Sequence, residues 1–473
     1  MILLEHKSDI SSGRFHTLDF IACVLQIILT TVTYIFFFVF LDFNTNASSS
    51  FIINSLILPG AYTVILTLIL RAAKAYFFSS KKIINLLSSQ YLSLFSTNFI
   101  FYILHCLMTE SIVNPLPIIL TFLCGIVIAT LISVVIKKIV NIKTPVRNTV
   151  LLYGRDSAVA LKIKLDNQKN KLRVSKIVPE SVGFEKMTDI IKNFDAVIIN
   201  DLSAAARNEV LKFCYKNRIP VYIAPKITDI IARSAQEIHG VDTPLLLIDK
   251  FGLSSTEKFF KRAMDICLSL AALIGTSPIL LLIALFIKIE DGGPVFYKQK
   301  RATLGEKEFD ILKFRSMIVD AEKEGFSIPA TGLDPRITKV GRIIRPLRLD
   351  ELPQIINILK GDMSIVGPRP ERLEHVIKYS EDIPEFVFRL NVKGGLTGYA
   401  QIYGKYNTTA YDKLRLDLIY IQNYSLLMDI KLIFLTVPVL FSKESTEGFD
   451  VAEEIDKLKS EVIDATNEEA SEN

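Results

Sequence analysis

The chain has 473 residues, half of them hydrophobic and only 22% charged, with a mean hydropathy of +0.35. That composition excludes a wholly water-soluble protein, a disordered chain, a collagenous one and a small disulfide scaffold. The net charge of +5 hides an asymmetry, because Glu444 to Asn473 sets eleven acidic residues against Lys457 and Lys459, leaving the preceding body with about +14 and a demand for anionic partners such as lipid headgroups or phosphates.

His6, Lys7 and Asp9 precede an apolar run too long for a signal peptide, with no small-residue cleavage site behind it. Four apolar stretches follow, Leu18–Leu41, Phe51–Leu70, Leu86–Met108 and Leu116–Ile136, each near the twenty or so residues that cross a bilayer. Residues 1–140 therefore read as a four-helix transmembrane bundle. Gln90, Ser93, Ser96, Thr97 and Asn98 interrupt the third stretch and are expected to face neighbouring helices rather than lipid. Lys7 and Arg14, then Arg71, Lys74, Lys81 and Lys82, then Lys137, Lys138, Lys143 and Arg147 fall at alternate ends, while residues 42–50 and 109–115 carry no Lys or Arg. The positive-inside rule then places the N-terminus and everything after Ile136 in the cytoplasm. Cys23, Cys106, Cys124, Cys214 and Cys267 have no metal-ligand spacing and read as buried thiols, and the five histidines are scattered.

Residues 147–250 have the texture of a soluble α/β unit. Short apolar strands at 149–154, 174–180, 196–200 and 220–225 alternate with helical stretches Ser157–Lys164, Met187–Asn193 and Ala204–Lys216, the pattern of a doubly wound, Rossmann-like parallel sheet. The first strand–helix turn reads Y-G-R-D-S-A, with Gly154 its one glycine, so the backbone cannot approach a pyrophosphate as a G-x-G-x-x-G turn does. A domain that keeps the fold without a dinucleotide is expected; membrane-anchored nucleotide-sugar redox chemistry is the alternative.

Residues 264–290 are again long and apolar enough to span. Pro278 removes a helix hydrogen bond and disfavours α geometry at Ser277, while Lys261, Arg262 and Lys288 flank both ends. A full crossing would also carry the rest of the chain outside. The expectation is a helix broken at Ser277-Pro278 that enters the cytoplasmic leaflet and returns; a kinked transmembrane helix is the alternative.

Cations and turn residues then concentrate between 294 and 372, around a single acidic pair, Asp350-Glu351. Arginine matches phosphate with two parallel donors, so Arg315, Arg336, Arg345, Arg348 and Arg369, with Lys313, are candidate phosphate ligands. The pair is expected to open a helix over Glu351–Lys360 closed by Gly361, an electropositive place suited to a carboxylate or phosphate. A hard cation such as Mg²⁺, held by Asp350 and Glu351, would suit that donor set.

From about Lys261 to Phe441 the chain resembles the bacterial sugar transferases, the monotopic phosphoglycosyl transferases that load a polyprenyl phosphate carrier. The strings KRAMDICLS with SP, GPVFYKQKR, FDILKFRSM, DPRITKVGR, RLDELPQIINILKGDMSIVGPRP, GLTGYAQIYGKYNTTAYDKLRLDLIYIQNYS and MDIKLIFLTV carry the resemblance. The four N-terminal helices and the middle domain match its long form. One departure is Lys393-Gly394-Gly395, where the family usually has Lys-Pro-Gly. The resemblance implies a catalytic domain over 255–443 in a multi-pass protein of the bacterial cell membrane, with its active site in the cytoplasm. It further implies transfer of sugar-1-phosphate from a UDP-sugar to undecaprenyl phosphate with release of UMP, initiating capsule or exopolysaccharide synthesis. Asp350 would be the nucleophile and Glu351 its support, with Mg²⁺ as cofactor and a homodimer as the assembled form. Glucose and galactose are the commonest donors in the long form, and no residue decides between them. A non-catalytic scaffold of polysaccharide assembly is the competing function, against which the intact Asp350-Glu351 pair counts; nucleic acid is not an expected partner. The apolar segment Leu426–Phe441 is too short to span and is expected to lie on the membrane surface, and the acidic tail 444–473 to be solvated.

Overall fold

The computed structural model describes residues 2–41, 57–78, 83–143, 146–154, 158–166, 172–240, 242–318, 334, 336–404 and 408–440. The acidic tail, Lys81 and Lys82, the loop 42–50 and the turn residues Arg155–Ser157 lie outside them, as do the side chains of Lys7 and Arg14. Two compact units divide between Ala224 and Pro225.

The first unit opens with α1 (Ile2–Leu41), α2 (Leu58–Ala72), α3 (Ile83–Met108) and α4 (Leu116–Lys143). Thr17–Phe38, α3 and Leu116–Ile142 are long and apolar enough to cross a membrane; the described part of α2 has 15 residues, and residues 51–56 of the expected second span lie outside the described residues. The polar groups of α3 do turn inward. Gln90, Ser93, Thr97 and Asn98 are buried, and Gln90 joins three helices: its amide donates to Gln26 Oε1 (3.2 Å) and its carbonyl oxygen accepts from Ser133 Oγ (2.9 Å). Tyr34 stacks on Tyr62 at 4.3 Å, with the edge of Phe101 against both rings.

The same unit continues through β1 (Arg147–Tyr153), α5 (Ala158–Asp166), β2 (Leu172–Pro179), α6 (Phe184–Ile191), β3 (Ala196–Asn200), α7 (Ala204–Lys216) and β4 (Val221–Ile223). All pairings are parallel, in the order β2-β1-β3-β4. Alternate residues of β1 feed opposite faces: Val150 and Leu152 pack with Met187, Ile191 and Val210 from α6 and α7, whereas Leu151 packs with Ala158 and Leu161 from α5. Gly154 sits where any Cβ would collide with the Asp201 carbonyl. The Glu180 carboxylate occupies the N-terminus of α7, accepting from Ser203 N (2.9 Å) and Ser203 Oγ.

The second unit comprises α8 (Ile227–Ala232), the hairpin β5 (Gln236–Ile238) and β6 (Leu245–Leu247), α9 (Ser255–Asp291), and the hairpin β7 (Phe296–Ala302) and β8 (Glu308–Phe314). It continues with α10 (Lys339–Ile344), α11 (Gln354–Lys360), β9 (Ser364–Val366), α12 (Leu373–Asp382), β10 (Gly395–Thr397), α13 (Tyr399–Tyr403), α14 (Ala410–Gln422) and α15 (Leu426–Leu440). Its core gathers Val366, Val376, Phe386, Leu414, Leu418, Tyr420 and Leu432.

The interruption expected at Ser277-Pro278 is not a break. α9 runs 37 residues through Pro278. Proline deprives the Ile274 carbonyl of its usual donor, and the Ser277 hydroxyl supplies one at 2.8 Å, so the helix continues with that acceptor satisfied. The cysteines correct another expectation: all five are free, but Cys214 alone is buried and Cys267 is exposed on α9. α15 turns Asp429, Leu432 and Leu435 into the domain and leaves Leu427 and Phe434 outside, so Asp429 belongs to the core while Lys431 is half-buried.

Candidate active site

Asp350 and Glu351 do not open the helix. They form a single 3-10 turn, Leu349–Glu351, ahead of α11, because Pro353 has no N–H with which to extend an α-helical ladder back to Leu349. Arg348 enters the turn in the left-handed region, φ 52°, an uncommon conformation for a residue with a Cβ. Gly361 closes α11 left-handed as expected, at φ 95°. Asn357 ties α11 to the catalytic hairpin: its amide donates to Asp310 O (2.8 Å) and its oxygen accepts from Leu312 N (2.9 Å). That fastening sets β8 beside the acidic turn, and Lys313 is the residue it delivers.

Lys313 Nζ reaches Glu351 Oε1 at 2.9 Å, and Arg369 Nη2 reaches the same oxygen at 2.7 Å. Burial alone would push the Glu351 carboxyl up, but the Arg369 and Lys313 charges outweigh it and hold Glu351 well below the usual carboxylate range. Arg369 is correspondingly raised, chiefly by Glu351, yet its side chain is 40% exposed and open to a ligand. Asp350 goes the opposite way. Burial and the neighbouring Glu351 charge push its carboxyl up to about 6, against the pull of Lys313 and Arg345. Two adjacent carboxyls are thus set apart: one clamped and held ionised at neutral pH, the other desolvated and free of a strong partner.

The loop carrying Arg369 rests on glycine crossings. A Cβ at Gly367 would strike the Lys393 carbonyl, one at Gly395 the Gly367 amide, and one at Gly398 the Gly367 carbonyl. β9 and β10 pair in parallel across this crossing. At the departure from Lys-Pro-Gly, Gly394 N donates to Thr303 Oγ1 (3.2 Å), a bond that proline could not make.

Residues 256–443 match the family described as bacterial sugar transferase. The uncharacterized sugar transferase EpsL of Bacillus subtilis is 38% identical over 187 residues, covering 40% of this chain and 90% of that protein. The chain belongs to the bacterial sugar transferase family. The UDP-N-acetylgalactosamine-undecaprenyl-phosphate N-acetylgalactosaminephosphotransferase of Aeromonas hydrophila is 36% identical over 255 residues, 53% of this chain and 59% of that one. The UDP-glucose:undecaprenyl-phosphate glucose-1-phosphate transferase of Escherichia coli K12 is 42% identical over 214 residues, 44% and 46% of the two chains. The matches to these two longer relatives span about half of their length.

Within this sugar transferase domain the structure brings together Asp350, Glu351, Lys313 and Arg369, with the Arg345 charge acting on Asp350. Other candidates are engaged elsewhere. Arg315 is buried in an ion pair with Asp291, and Arg336 is paired at 2.6 Å with Asp334, two residues before it. Arg348 contributes its strained backbone. Ser277 and Pro278 lie within α9.

Several residues that hold the site were not singled out as site residues. Lys261 Nζ meets Asp429 Oδ2 at 2.5 Å, and the Tyr420 hydroxyl donates to Asp429 Oδ1 at 2.8 Å. Asp265 accepts from Ser364 Oγ (2.8 Å) and Ile365 N (3.1 Å) on β9, and Arg262 donates to the Ile358 and Leu359 carbonyls at the end of α11 (2.6 and 2.7 Å). The first turns of α9 are therefore fastened to the strand and helix that bracket the acidic turn. The i, i+4 spacing of Lys261 and Asp265 signalled one shared helix face.

Proposed function

We propose that this sugar transferase moves a sugar-1-phosphate from a UDP-sugar to undecaprenyl phosphate, releasing UMP, by way of an aspartyl-phosphosugar intermediate. The observation that carries the reading is the division of labour at Asp350-Glu351, where Glu351 is fixed by Lys313 and Arg369 while Asp350 keeps an uncommitted carboxylate with a raised pKa. The substrate classes follow the names of the Aeromonas and Escherichia relatives. An Asp350 oxygen attacks the sugar-bearing phosphorus; its bond to the bridging oxygen breaks and UMP leaves with that electron pair. An oxygen of undecaprenyl phosphate then attacks the same phosphorus, expelling the Asp350 carboxylate and giving the lipid diphosphosugar. Arg369 is placed to meet the phosphoryl charge, and Lys313 keeps Glu351 ionised beside it.

Among the described residues no cluster of three or more His, Cys, Asp or Glu forms a metal cage. The paired carboxylates suit a hard cation such as Mg²⁺; Asp350 and Glu351 would hold it, and when bound it would neutralise diphosphate charge. To return to the cytoplasmic leaflet the unbroken α9 would have to bend at Pro278; the basic flanks Lys261, Arg262 and Lys288 favour that re-entrant course, which would keep the catalytic domain cytoplasmic. The middle domain is read as serving without a nicotinamide cofactor, since the turn after β1 has Gly154 as its one glycine where a pyrophosphate-binding turn would need several. A homodimer and a role in initiating exopolysaccharide or capsule synthesis complete the proposal.

The deciding experiment incubates purified protein with undecaprenyl phosphate and a panel of UDP-sugars, measuring UMP release. A separate incubation with UDP-sugar alone is read by intact mass and peptide mapping. UMP release and an adduct on Asp350 are expected. Release without any adduct, or an adduct on another residue, rejects the covalent route.

A further inference from the structure

Arg369 is held in place by a residue that touches no reacting atom. Arg389, in the 3-10 stretch Pro384–Asn391, is 2% exposed. Its Nε and Nη2 both reach Asp417 Oδ2, at 3.0 and 2.9 Å, and Nη2 also donates to the main-chain carbonyl of Arg369 at 2.9 Å. Asp417, on α14, is 1% exposed, and Nη1 of Arg389 stands 3.8 Å from Glu371. Phe386 packs against the guanidinium, 4.9 Å from ring centre to Cζ. An ion pair buried this deeply is a poor source of stability, since apolar side chains of similar volume commonly do as well. What an apolar side chain cannot do is grip a carbonyl.

We propose that Arg389 is a positioning residue for phosphate binding: by holding the Arg369 carbonyl from within the core, it sets the direction in which the Arg369 guanidinium leaves the chain toward Glu351 and the substrate. Asp417 in turn orients Arg389. The inference rests on reading Arg369 as a phosphate ligand. A displacement of about 1 Å in such a group costs about 100-fold in rate.

The test is a double-mutant cycle on the full-length protein, with Arg389→Lys, Arg369→Ala and their combination. Lysine keeps the charge opposite Asp417 but lacks the planar fork needed to serve Asp417 and the carbonyl together. The readouts are kcat/KM for UMP release, UDP affinity by calorimetry, and melting by circular dichroism. Arg389→Lys should melt within a few degrees of wild type yet lose about 10–100-fold in kcat/KM and bind UDP more weakly. In the Arg369→Ala background the same change should cost less than about twofold. Asp417→Asn serves as a second entry to the cycle and should show the same non-additivity. Equal losses in both backgrounds overturn the inference, as does full activity of Arg389→Lys. A wild-type protein that fails to bind UDP removes Arg369 as a phosphate ligand and takes this inference with it. One that binds UDP and turns over while the losses simply add removes only the role of Arg389.

Discussion

Replacing Asp350 with asparagine should stabilise the folded protein while abolishing turnover. The Asp350 carboxyl stands at about 6 against an ordinary value of 3.8, a displacement of roughly two units, each equivalent to about 1.36 kcal/mol. The ceiling is therefore about 3 kcal/mol, and partial access to water brings the expectation to about 1–3 kcal/mol. Because the folded-state value is raised, the folded protein holds a proton that the unfolded chain has released between roughly pH 4 and 6. Wild-type stability falls as pH rises through that window, and the cost is complete above it. Asparagine has no proton to lose, so its advantage should be absent below about pH 4 and full above about pH 6. The chain has no tryptophan, which makes circular dichroism of the detergent-solubilised protein the suitable probe. At about 2–4 °C per kcal/mol, Asp350→Asn should melt roughly 2–10 °C above wild type at pH 8, with a markedly smaller difference at pH 5. Equal melting at pH 8, or a difference independent of pH, would refute the electrostatic account. The same titration should appear in wild-type kcat/KM, which rises with pH through about 6 as the nucleophile ionises.

Glu351→Gln removes the anion shared by Lys313 and Arg369, so it should cost about 1–3 kcal/mol at pH 8 and about 10²–10⁴-fold in turnover, measured by melting and UMP release. Since the Glu351 value is depressed, its contribution is present above about pH 4.5 and fades as pH falls toward the folded-state value, so the stability penalty of the glutamine variant should shrink in acid. A cysteine introduced at Asp291, with the native cysteines removed, should resist an impermeant thiol reagent applied to intact cells; labelling from outside would end the re-entrant reading. Residues 148–240 should bind neither NAD nor NADP, and micromolar binding of either in calorimetry of the full-length protein would reverse that view. Ser277→Ala strands the Ile274 carbonyl beside Pro278 and should lower the melting temperature by a few degrees, whereas unchanged melting would show that the hydroxyl bond is dispensable.

Features coded by neighbouring residues were legible in the sequence. The parallel sheet followed from strands of five to seven residues with helices between them, the inward polar stripe of α3 from its interruptions, and the end of α11 from Gly361. What escaped was set by partners distant in the chain or by one missing donor. Lys261 and Asp429 are 168 positions apart, so neither announced the other. Pro353 was read as part of a helix although its absent N–H leaves Asp350 and Glu351 in a separate turn. Arg315 and Arg336 stand among the phosphate candidates in the sequence, behind Arg369 in its Gly-Pro-Arg-Pro string, but Asp291 and Asp334 engage them. At Ser277-Pro278 the proline was read and the serine overlooked, though a hydroxyl one residue earlier can take the place of the lost amide.

The glycine crossing beneath the Arg369 loop bears on drug resistance. Gly367, Gly395 and Gly398 are buried, and even an alanine at any of them collides with the opposing main chain, so an inhibitor seated on the Arg369 loop would meet a backbone whose course cannot be altered one side chain at a time. Most binding pockets can shed an inhibitor by enlarging or shrinking a single residue. This one would have to rebuild two strands at once, and escape would have to come from the surrounding cations, whose replacement, on the proposed reading, would cost the enzyme its own grip on phosphate.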